Sequence, residues 1–337
     1  RARDLEIEIT EGILLDDALS AALPPDARGL FKQYSPDGKA DISGRLYTDR
    51  DDVAVRFDLN AKLTDASLSI AGSDTRLADV TADLRIVPEM LTVNLLKGRV
   101  GQSLVSLDGR LGLSSAHPEI AVRVRSESLE LNEQLRSALP TTIREAYDSM
   151  TPTGRIKLDL TYEQKADGET HEANAANYRV QVEPLGCRIK FARFPYELEE
   201  VTGKVILSPF GLAIERLTGH HGSASVEVRG SAAVVKGLTR VTLDSLIARN
   251  VPFSEELRQA VPWRLRRMWS NMTPAGECDL DLHDILVTSG SGDCDGWKGS
   301  GTIQLKKLSL VAGSTFTDVE GSLTGTAGYD GQFYFDV

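Results

Sequence analysis

The feature of this sequence that most constrains its fold is a segment that occurs three times, beginning at Leu15, Leu131 and Phe253. In each copy a proline is followed by an arginine four residues later, by an aromatic residue seven residues later and by a second proline twelve residues later. The positions are Pro24, Arg28, Phe31 and Pro36, then Pro140, Arg144, Tyr147 and Pro152, then Pro262, Arg266, Trp269 and Pro274. The first prolines are 116 and 122 residues apart, so the repeat takes precedence over a domain count based on length. The chain is predicted to hold two full units and part of a third.

Each copy predicts two short helices separated by a proline. Leu15, Leu19 and Leu23 fall at helical spacing, and the residue before a proline is disfavoured in the α region, so the first helix should end near Leu23. Pro24 can open the second helix, where its missing N–H is not needed. The second proline and the glycine two residues after it predict a turn into a strand. For the matched arginine and aromatic residue we favour a structural role, with the side chains packed on a helix, over direct chemistry.

Apolar residues that alternate with polar ones predict strands with one apolar and one polar face. Ile156, Leu158 and Leu160 show this pattern directly after the second turn. Two further blocks, residues 77–109 and 198–230, align without a gap at an offset of 121 residues, and a third copy begins at Val319. Their prolines and glycines mark turns, so each block predicts three or four antiparallel strands. Residues 163–176 and 289–299 are polar and irregular, and predict exposed loops.

Composition excludes several classes of protein. The net charge of −11 over 337 residues argues against a nucleic-acid surface. Cys187, Cys278 and Cys294 form no zinc spacing with the five histidines, and a bridge between Cys278 and Cys294 is unsupported. There is neither an apolar run of about 18 residues nor a signal peptide. Because the chain begins on an apparent strand and stops in mid-pattern, we interpret it as a fragment.

The candidate chemical motifs are weak. Gly219 to Gly222 reads Gly-His-His-Gly, but the aligned residues Arg99 and Val100 are not histidines, so we expect a turn with two exposed imidazoles rather than a metal site. Residues 293–296 lack most ligands of a calcium loop. A later strand carries three alternating polar residues on its solvated face, Asp279, Asp281 and His283. Motifs of serine hydrolases, nucleotide-binding loops and zinc proteases do not occur. We therefore predict a protein without enzymatic activity, metal or cofactor, and a hydrolase is only a distant alternative.

A long sheet with one apolar face needs a cover. A second sheet, the protein's own helices or a ligand could supply it, and the helices are too few to cover every strand. Open sheets rarely exceed about ten strands without curling. We therefore favour a curled sheet with an apolar, partly filled groove that lengthens as units are added.

The block at residues 198–230 contains the pattern Val201-Thr202-Gly203-Lys204-Val205, then the run from Leu212 to Leu217, then the glycines Gly219, Gly222 and Gly230. This arrangement resembles the repeats of AsmA-like proteins. The resemblance covers essentially the whole chain. It implies a mainly β, elongated, curled antiparallel sheet, a β-groove or taco, built from tandem repeats of about 120 residues, each with an inserted helix-Pro-helix pair. The units would span residues 1–120, 121–240 and 241–337 of one continuous domain.

The resemblance also implies a bridge-like lipid transfer protein of the periplasm, anchored to the inner membrane by an N-terminal helix outside this fragment. Such a protein would support phospholipid transport between the inner and outer membranes, or outer-membrane homeostasis. Its partners would be phospholipid acyl chains and, as further candidates, inner or outer membrane proteins. The alternative is a structural scaffold or assembly module with a protein-filled β core and no lipid.

Two sets of residues are candidates for these contacts. Acyl chains would lie along Leu84, Ile86, Leu91, Val93, Leu96, Val205, Leu207, Leu212, Ile214 and Leu217. Leu96 and Leu217 break the strict alternation by one residue, which predicts a β-bulge before each. The third helix pair combines aromatic and basic residues that suit a membrane surface or lipid headgroup, namely Trp263, Arg264, Arg266, Arg267 and Trp269. The alternative for that helix is packing on the groove with its arginines facing water.

Overall fold

The structure is a computed structural model. It describes residues 3–23, 25–48, 55–70, 75–113, 118–139, 141–165, 177–192, 194–235, 238–261, 263–289, 294–329 and 333–336. The described part of the chain is mainly β, with seventeen strands and a few short helices, and its paired strands are antiparallel. It divides into two compact units, residues 1–144 with 156–180, and residues 145–155 with 181–337.

The first unit is built from strands that each pair with the next one along the chain. The strands are β1 (Arg3–Leu14), β2 (Asp37–Thr48), β3 (Val55–Ser69), β4 (Arg76–Val87), β5 (Met90–Val100), β6 (Ser103–Gly112) and β7 (Ile120–Leu131), followed by most of β8 (Gly154–Gln164). Helices α1 (Asp17–Ala22) and α2 (Pro25–Tyr34) connect β1 to β2. Helices α3 (Glu133–Ala138) and α4 (Thr141–Met150) follow β7, and β9 (Asn177–Phe191) spans the division between the units.

The second unit also consists of strands that pair with the next one along the chain. Its strands are β10 (Phe194–Ser208), β11 (Gly211–His221), β12 (Ala224–Val235), β13 (Leu238–Pro252), β14 (Ala275–Ser289), β15 (Cys294–Ala312), β16 (Ser314–Tyr329) and β17 (Phe333–Asp336). Each pairs with the next in antiparallel register. Helices α5 (Glu255–Ala260) and α6 (Trp263–Met272) connect β13 to β14.

The prediction of a loop at residues 289–299 is wrong for Ser289, which ends strand β14, and for residues 294–299, which begin strand β15; residues 290–293 lie outside the described residues. Val287 of β14 lies opposite Trp297, and the hydroxyl of Thr288 donates to the carbonyl of Gly296 at 3.3 Å. Pairing with β14 therefore satisfies the backbone hydrogen bonds of a segment whose glycines suggested a loop. Of the other predicted loop, residues 163–164 belong to β8, and residues 166–176 lie outside the described residues.

The six-residue helices are held by caps, because a helix this short is not stable by itself. At their N-termini Asp16, Asn132 and Ser254 each accept a hydrogen bond from the amide three residues on. As predicted, α1 ends before the proline, with Leu23 as an extended C-cap residue at φ −72° and ψ 150°.

The repeated arginine completes each helix pair. The guanidinium of Arg28 donates to the carbonyls of Ser20 at 3.2 Å, Ala21 at 2.8 Å and Leu23 at 3.0 Å. Arg144 donates to Ser137 and Leu139, and Arg266 to Val261. A cation at a helix C-terminus satisfies carbonyls that have no partner within the helix. The predicted structural role of this arginine is confirmed.

A buried core of each unit lies where the segment that enters a helix pair meets the sheet. In the first unit Leu15 packs against a buried cluster formed by Ala40, Leu63, Ala66, Val80, Ala82 and Leu96. In the second unit Phe253 and Leu257 pack against Ala224, Ala248, Val251 and Cys278. Cys278 is a buried free thiol whose pKa burial raises to about 11, and the side chain of Cys294 is outside the described part of the chain.

Candidate functional site

One face of the first unit carries rows of apolar side chains that run across the strands. Leu84 lies opposite Val93, and Ile86 lies opposite Leu91, so these four predicted groove residues share a face. The register extends one row as Ala61, Leu84, Val93, Gly109 and Val122, and the other as Leu59, Ile86, Leu91, Leu111 and Ile120. Apart from Ala61, which is buried, the side chains of these rows are only half-buried.

The second unit carries equivalent rows. Val205 lies opposite Ile214, and Leu207 lies opposite Leu212, which places four more predicted residues on one face. The rows continue as Val205, Ile214, Gly230, Leu243 and Ile285, and as Leu207, Leu212, Ala232, Val241 and Val287. The side chains of these residues are also half-buried. Each unit therefore presents a surface on which neighbouring apolar groups touch one another but remain partly exposed.

The bulges predicted from the broken alternation are present. In the β4–β5 pair, Asp83 lies opposite Leu95 and Leu84 opposite Val93, which leaves Asn94 as the extra residue. In the β10–β11 pair the extra residue is Glu215. Because of each bulge, the leucine two residues after the extra residue, Leu96 or Leu217, lies on the apolar face. Leu96 is 8% exposed within the core, whereas Leu217 is half-buried.

The opposite face of each unit is mostly polar, apart from residues such as the buried Ile206, and bears charge pairs between strands. Arg85 binds Asp58 through two hydrogen bonds of 2.9 and 3.0 Å, and these hold the pKa of Asp58 below its usual value. In the second unit Arg216 binds Glu227 at 2.7 Å. Exposed pairs of this kind contribute little stability, but they show that this face is adapted to water. A polar depression over β1 to β4 is lined by such residues, including Glu6, Ser43, Asp58 and Arg85.

The helices of each unit leave much of the apolar face uncovered. In the first unit the cluster beside Leu15 consists of residues below 9% exposure, and Leu84 and Val93 lie at its margin. Residues further along the strands, such as Ile86 and Leu91, remain half-buried in the described structure. The apolar side chains of this surface can bind apolar groups by burial.

The two histidines of Gly219 to Gly222 do not form the predicted pair of exposed imidazoles. Both belong to strand β11, and only His220 is exposed. His221 is half-buried because its ring stacks on Tyr196, with ring centres 3.9 Å apart, and its Nδ1 lies 2.7 Å from the carbonyl oxygen of Glu197. Within the described residues no group of three or more His, Cys, Asp or Glu could hold a metal ion.

The polar residues of β14 form ordinary pairs. Asp279 accepts hydrogen bonds from the amide of Asn250 at 2.8 Å and from Lys306 Nζ at 2.7 Å. Burial raises the pKa of Asp279, but Lys306 and the Asn250 amide together outweigh that effect and hold the pKa below its usual value. His283 Nε2 lies 3.1 Å from Asp281. Asp281 also lies 3.6 Å from Arg249 Nη2, so all three polar residues have a charged or polar neighbour.

The predicted headgroup residues of the third helix pair are partly occupied by structural contacts. Arg266 Nε donates to the carbonyl of Val261 at 2.8 Å, and the Trp269 ring packs edge-on against Phe253 with ring centres 5.5 Å apart. Arg267 is exposed. The side chains of Trp263 and Arg264 lie outside the described residues.

Comparison of the chain with protein-family models, curated proteins and solved structures finds no match. In the part of the chain that the structure describes, no helix has the length and hydropathy needed to cross a bilayer. Function is therefore inferred from the two faces of the strands.

Proposed function

We propose that this chain is a non-enzymatic lipid-binding segment, a conduit in which acyl chains lie along the apolar face of each unit. We further propose that it belongs to an AsmA-like protein of the periplasm, anchored to the inner membrane by a helix outside this fragment. There it would support phospholipid transport between the inner and outer membranes or outer-membrane homeostasis. The observation that carries the proposal is the pair of apolar faces whose side chains remain partly exposed, each opposite a polar face with paired charges.

We also propose that the chain consists of tandem repeats of about 120 residues, each with an inserted helix-Pro-helix pair, that together form a curled β-groove. The support is a recurrence of unusual backbone conformations. Residues before the second proline have positive φ in all three copies, namely Ser35 at 40°, Thr151 at 37° and Thr273 at 41°. A second set lies at matched positions in the strand blocks, Asp79, Glu200 and Asp318, each at 51°. Positive φ is uncommon outside glycine, so its recurrence at aligned positions favours a common local design. The boundaries 1–120, 121–240 and 241–337 remain predictions.

The energetics suit a lipid chain. Burial of an acyl methylene contributes roughly 0.8 kcal/mol, so a chain laid along several rows would bind without any specific polar contact. Binding would also remove the remaining exposed area of residues such as Ile86 and Leu212 from water.

A charge on the apolar face tests the proposal. We expect the double variant Val93→Asp, Ile214→Asp to lose co-purifying phospholipid, because a carboxylate cannot be buried beside an acyl chain without a partner. The matched control is Thr92→Asp, Ala213→Asp, which changes the adjacent residue of each strand and so the opposite face. Native mass spectrometry with lipid extraction would measure the phospholipid bound to each protein, and circular dichroism would establish that each is folded.

Lipid bound at the wild-type level in the folded double variant would refute the assignment of the face. If instead the wild-type protein carries no lipid, even after incubation with vesicles, the scaffold becomes the better explanation. The observation that favours a scaffold is the pair of protein-filled cores beside Leu15 and Phe253.

A further inference from the structure

Three strongly exposed apolar side chains lie at one end of the second unit. Phe210, in the turn between β10 and β11, is 87% exposed; Val234, near the end of β12, and Leu238, at the start of β13, are 72% and 45% exposed. Consecutive antiparallel strands place the β10–β11 turn, the end of β12 and the start of β13 at the same end of the strands, and the α5 and α6 helices between β13 and β14 at the other end. The exposed residues are thus on the side away from the helix pair.

The strand register brings the three residues together. Gly211, which follows Phe210, lies beside Ala233, and Val234 pairs with Thr239 next to Leu238. Neighbouring strands are about 4.8 Å apart, so the three residues form one tip at the end of adjacent strands, with Val234 and Leu238 on opposite faces of the sheet. The tip is continuous with the apolar face, because the pair Leu207 and Leu212 lies directly behind Phe210.

The residues in and around the tip indicate which kind of partner it fits. Residues 207–212 contain no charge, and the nearest exposed charged residue along β13 is the cation Arg240. The aligned turn of the first unit carries the exposed acid Glu89 where the second has Phe210. The turn therefore does not require an aromatic residue, and the turn alone does not explain an exposed phenyl ring. Grouped apolar residues beside a cation, without an acid, match the interface of a bilayer that contains anionic phospholipid.

We propose that the tip formed by Phe210, Val234 and Leu238 inserts into a phospholipid leaflet. Arg240 lies at the level of the phosphates, and acyl chains pass between the leaflet and the Leu207–Leu212 end of the apolar face. The passage of chains rests on the proposed function, whereas insertion of the tip does not.

Vesicle flotation tests the inference with vesicles of phosphatidylethanolamine and phosphatidylglycerol. We expect the wild-type protein to float, and Phe210→Glu, which installs the residue that the first unit has in its turn, to weaken vesicle binding about tenfold or more. The matched control is Phe316→Glu, because Phe316 is an exposed aromatic residue, at 47%, on β16. The control should bind as the wild type does. The lipid content of each protein is measured in parallel by mass spectrometry.

The inference is overturned if the wild-type protein does not float, if Phe210→Glu binds vesicles as the wild type does, or if Phe316→Glu is equally impaired. The two proposals fail separately. If the protein binds vesicles through Phe210 but never carries lipid, the inserted tip is supported and the conduit is refuted. If the protein carries lipid but its vesicle binding does not depend on Phe210, the conduit is supported and the tip is refuted.

Discussion

The arginine that recurs in each helix pair gives a quantitative test of the structure. Arg28 donates to three carbonyls at the end of α1, at 2.8 to 3.2 Å. Replacement by methionine keeps much of the aliphatic stem and removes the donors. A hydrogen bond from a charged donor is worth roughly 1.5–3 kcal/mol, and a half-exposed site reduces that value, so we expect α1 to lose about 2 kcal/mol. That loss corresponds to about a thirty-fold increase in the opening equilibrium of the helix.

Hydrogen exchange measured by mass spectrometry on the peptide that covers residues 17–23 reports this opening directly. The adjacent arginines of α6 provide the control, because Arg266 caps Val261 whereas Arg267 is exposed. Exchange around Val261 should rise in Arg266→Met and stay unchanged in Arg267→Met. If exchange in residues 17–23 is the same in Arg28→Met as in the wild type, the arginine does not stabilise the helix and our reasoning about its role is wrong.

Two further predictions concern the second unit. The hydroxyl of Tyr196, which is 6% exposed, has no hydrogen-bond partner in the described structure, and burial raises its pKa from 10.0 to about 12. Between pH 10 and 12 Tyr196 therefore stays protonated in the folded protein, whereas it ionises in the unfolded chain. The free energy of unfolding should fall by up to about 1.4 kcal/mol per pH unit in this range. In urea unfolding, Tyr196→Phe should abolish that part of the loss and should not destabilise the protein at neutral pH. Gly203 has φ +131°, and a Cβ there would lie 1.9 Å from the carbonyl oxygen of Arg216, so Gly203→Ala should cost about 2 kcal/mol or more in urea unfolding. Gly186→Ala, at φ +76° with open space around it, should cost less, and equal losses would contradict the close approach at Gly203.

Much of the local structure follows from short-range patterns. Alternation predicted the strands, the break before Leu217 predicted a bulge, and the proline after Leu23 predicted the helix end. The start of β15 was missed because its glycines resemble a loop, and the pairing of Trp297 with Val287 depends on a neighbouring strand. The stacking of His221 on Tyr196 was missed for the same reason, since the two residues meet only when β10 and β11 pair.

The candidate site shows the same division between local and long-range information. Alternation together with the predicted bulge placed Leu84 and Leu96 on one face, but it could not show that Leu96 is buried in the core while Leu84 lies at its margin. That difference depends on where residues that lead into a helix, such as Leu15, rest on the sheet. Phe210 was not singled out from the sequence, although the aligned Glu89 is a signal, because the substitution of an acid by an aromatic residue in a turn does not follow from folding alone.

The helix pairs and a lipid chain would compete for the same kind of surface, and this links the arginine caps to the proposed conduit. If the helices only close one end of each apolar face, loosening α1 through Arg28→Met should leave the amount of bound lipid unchanged while exchange in the helix rises. If α1 instead occupies space that a chain would fill, the same variant should bind more lipid. The half-buried rows at Ile86 and Leu91, beyond the core cluster beside Leu15, favour the first outcome, because they remain partly exposed while α1 is fully in place.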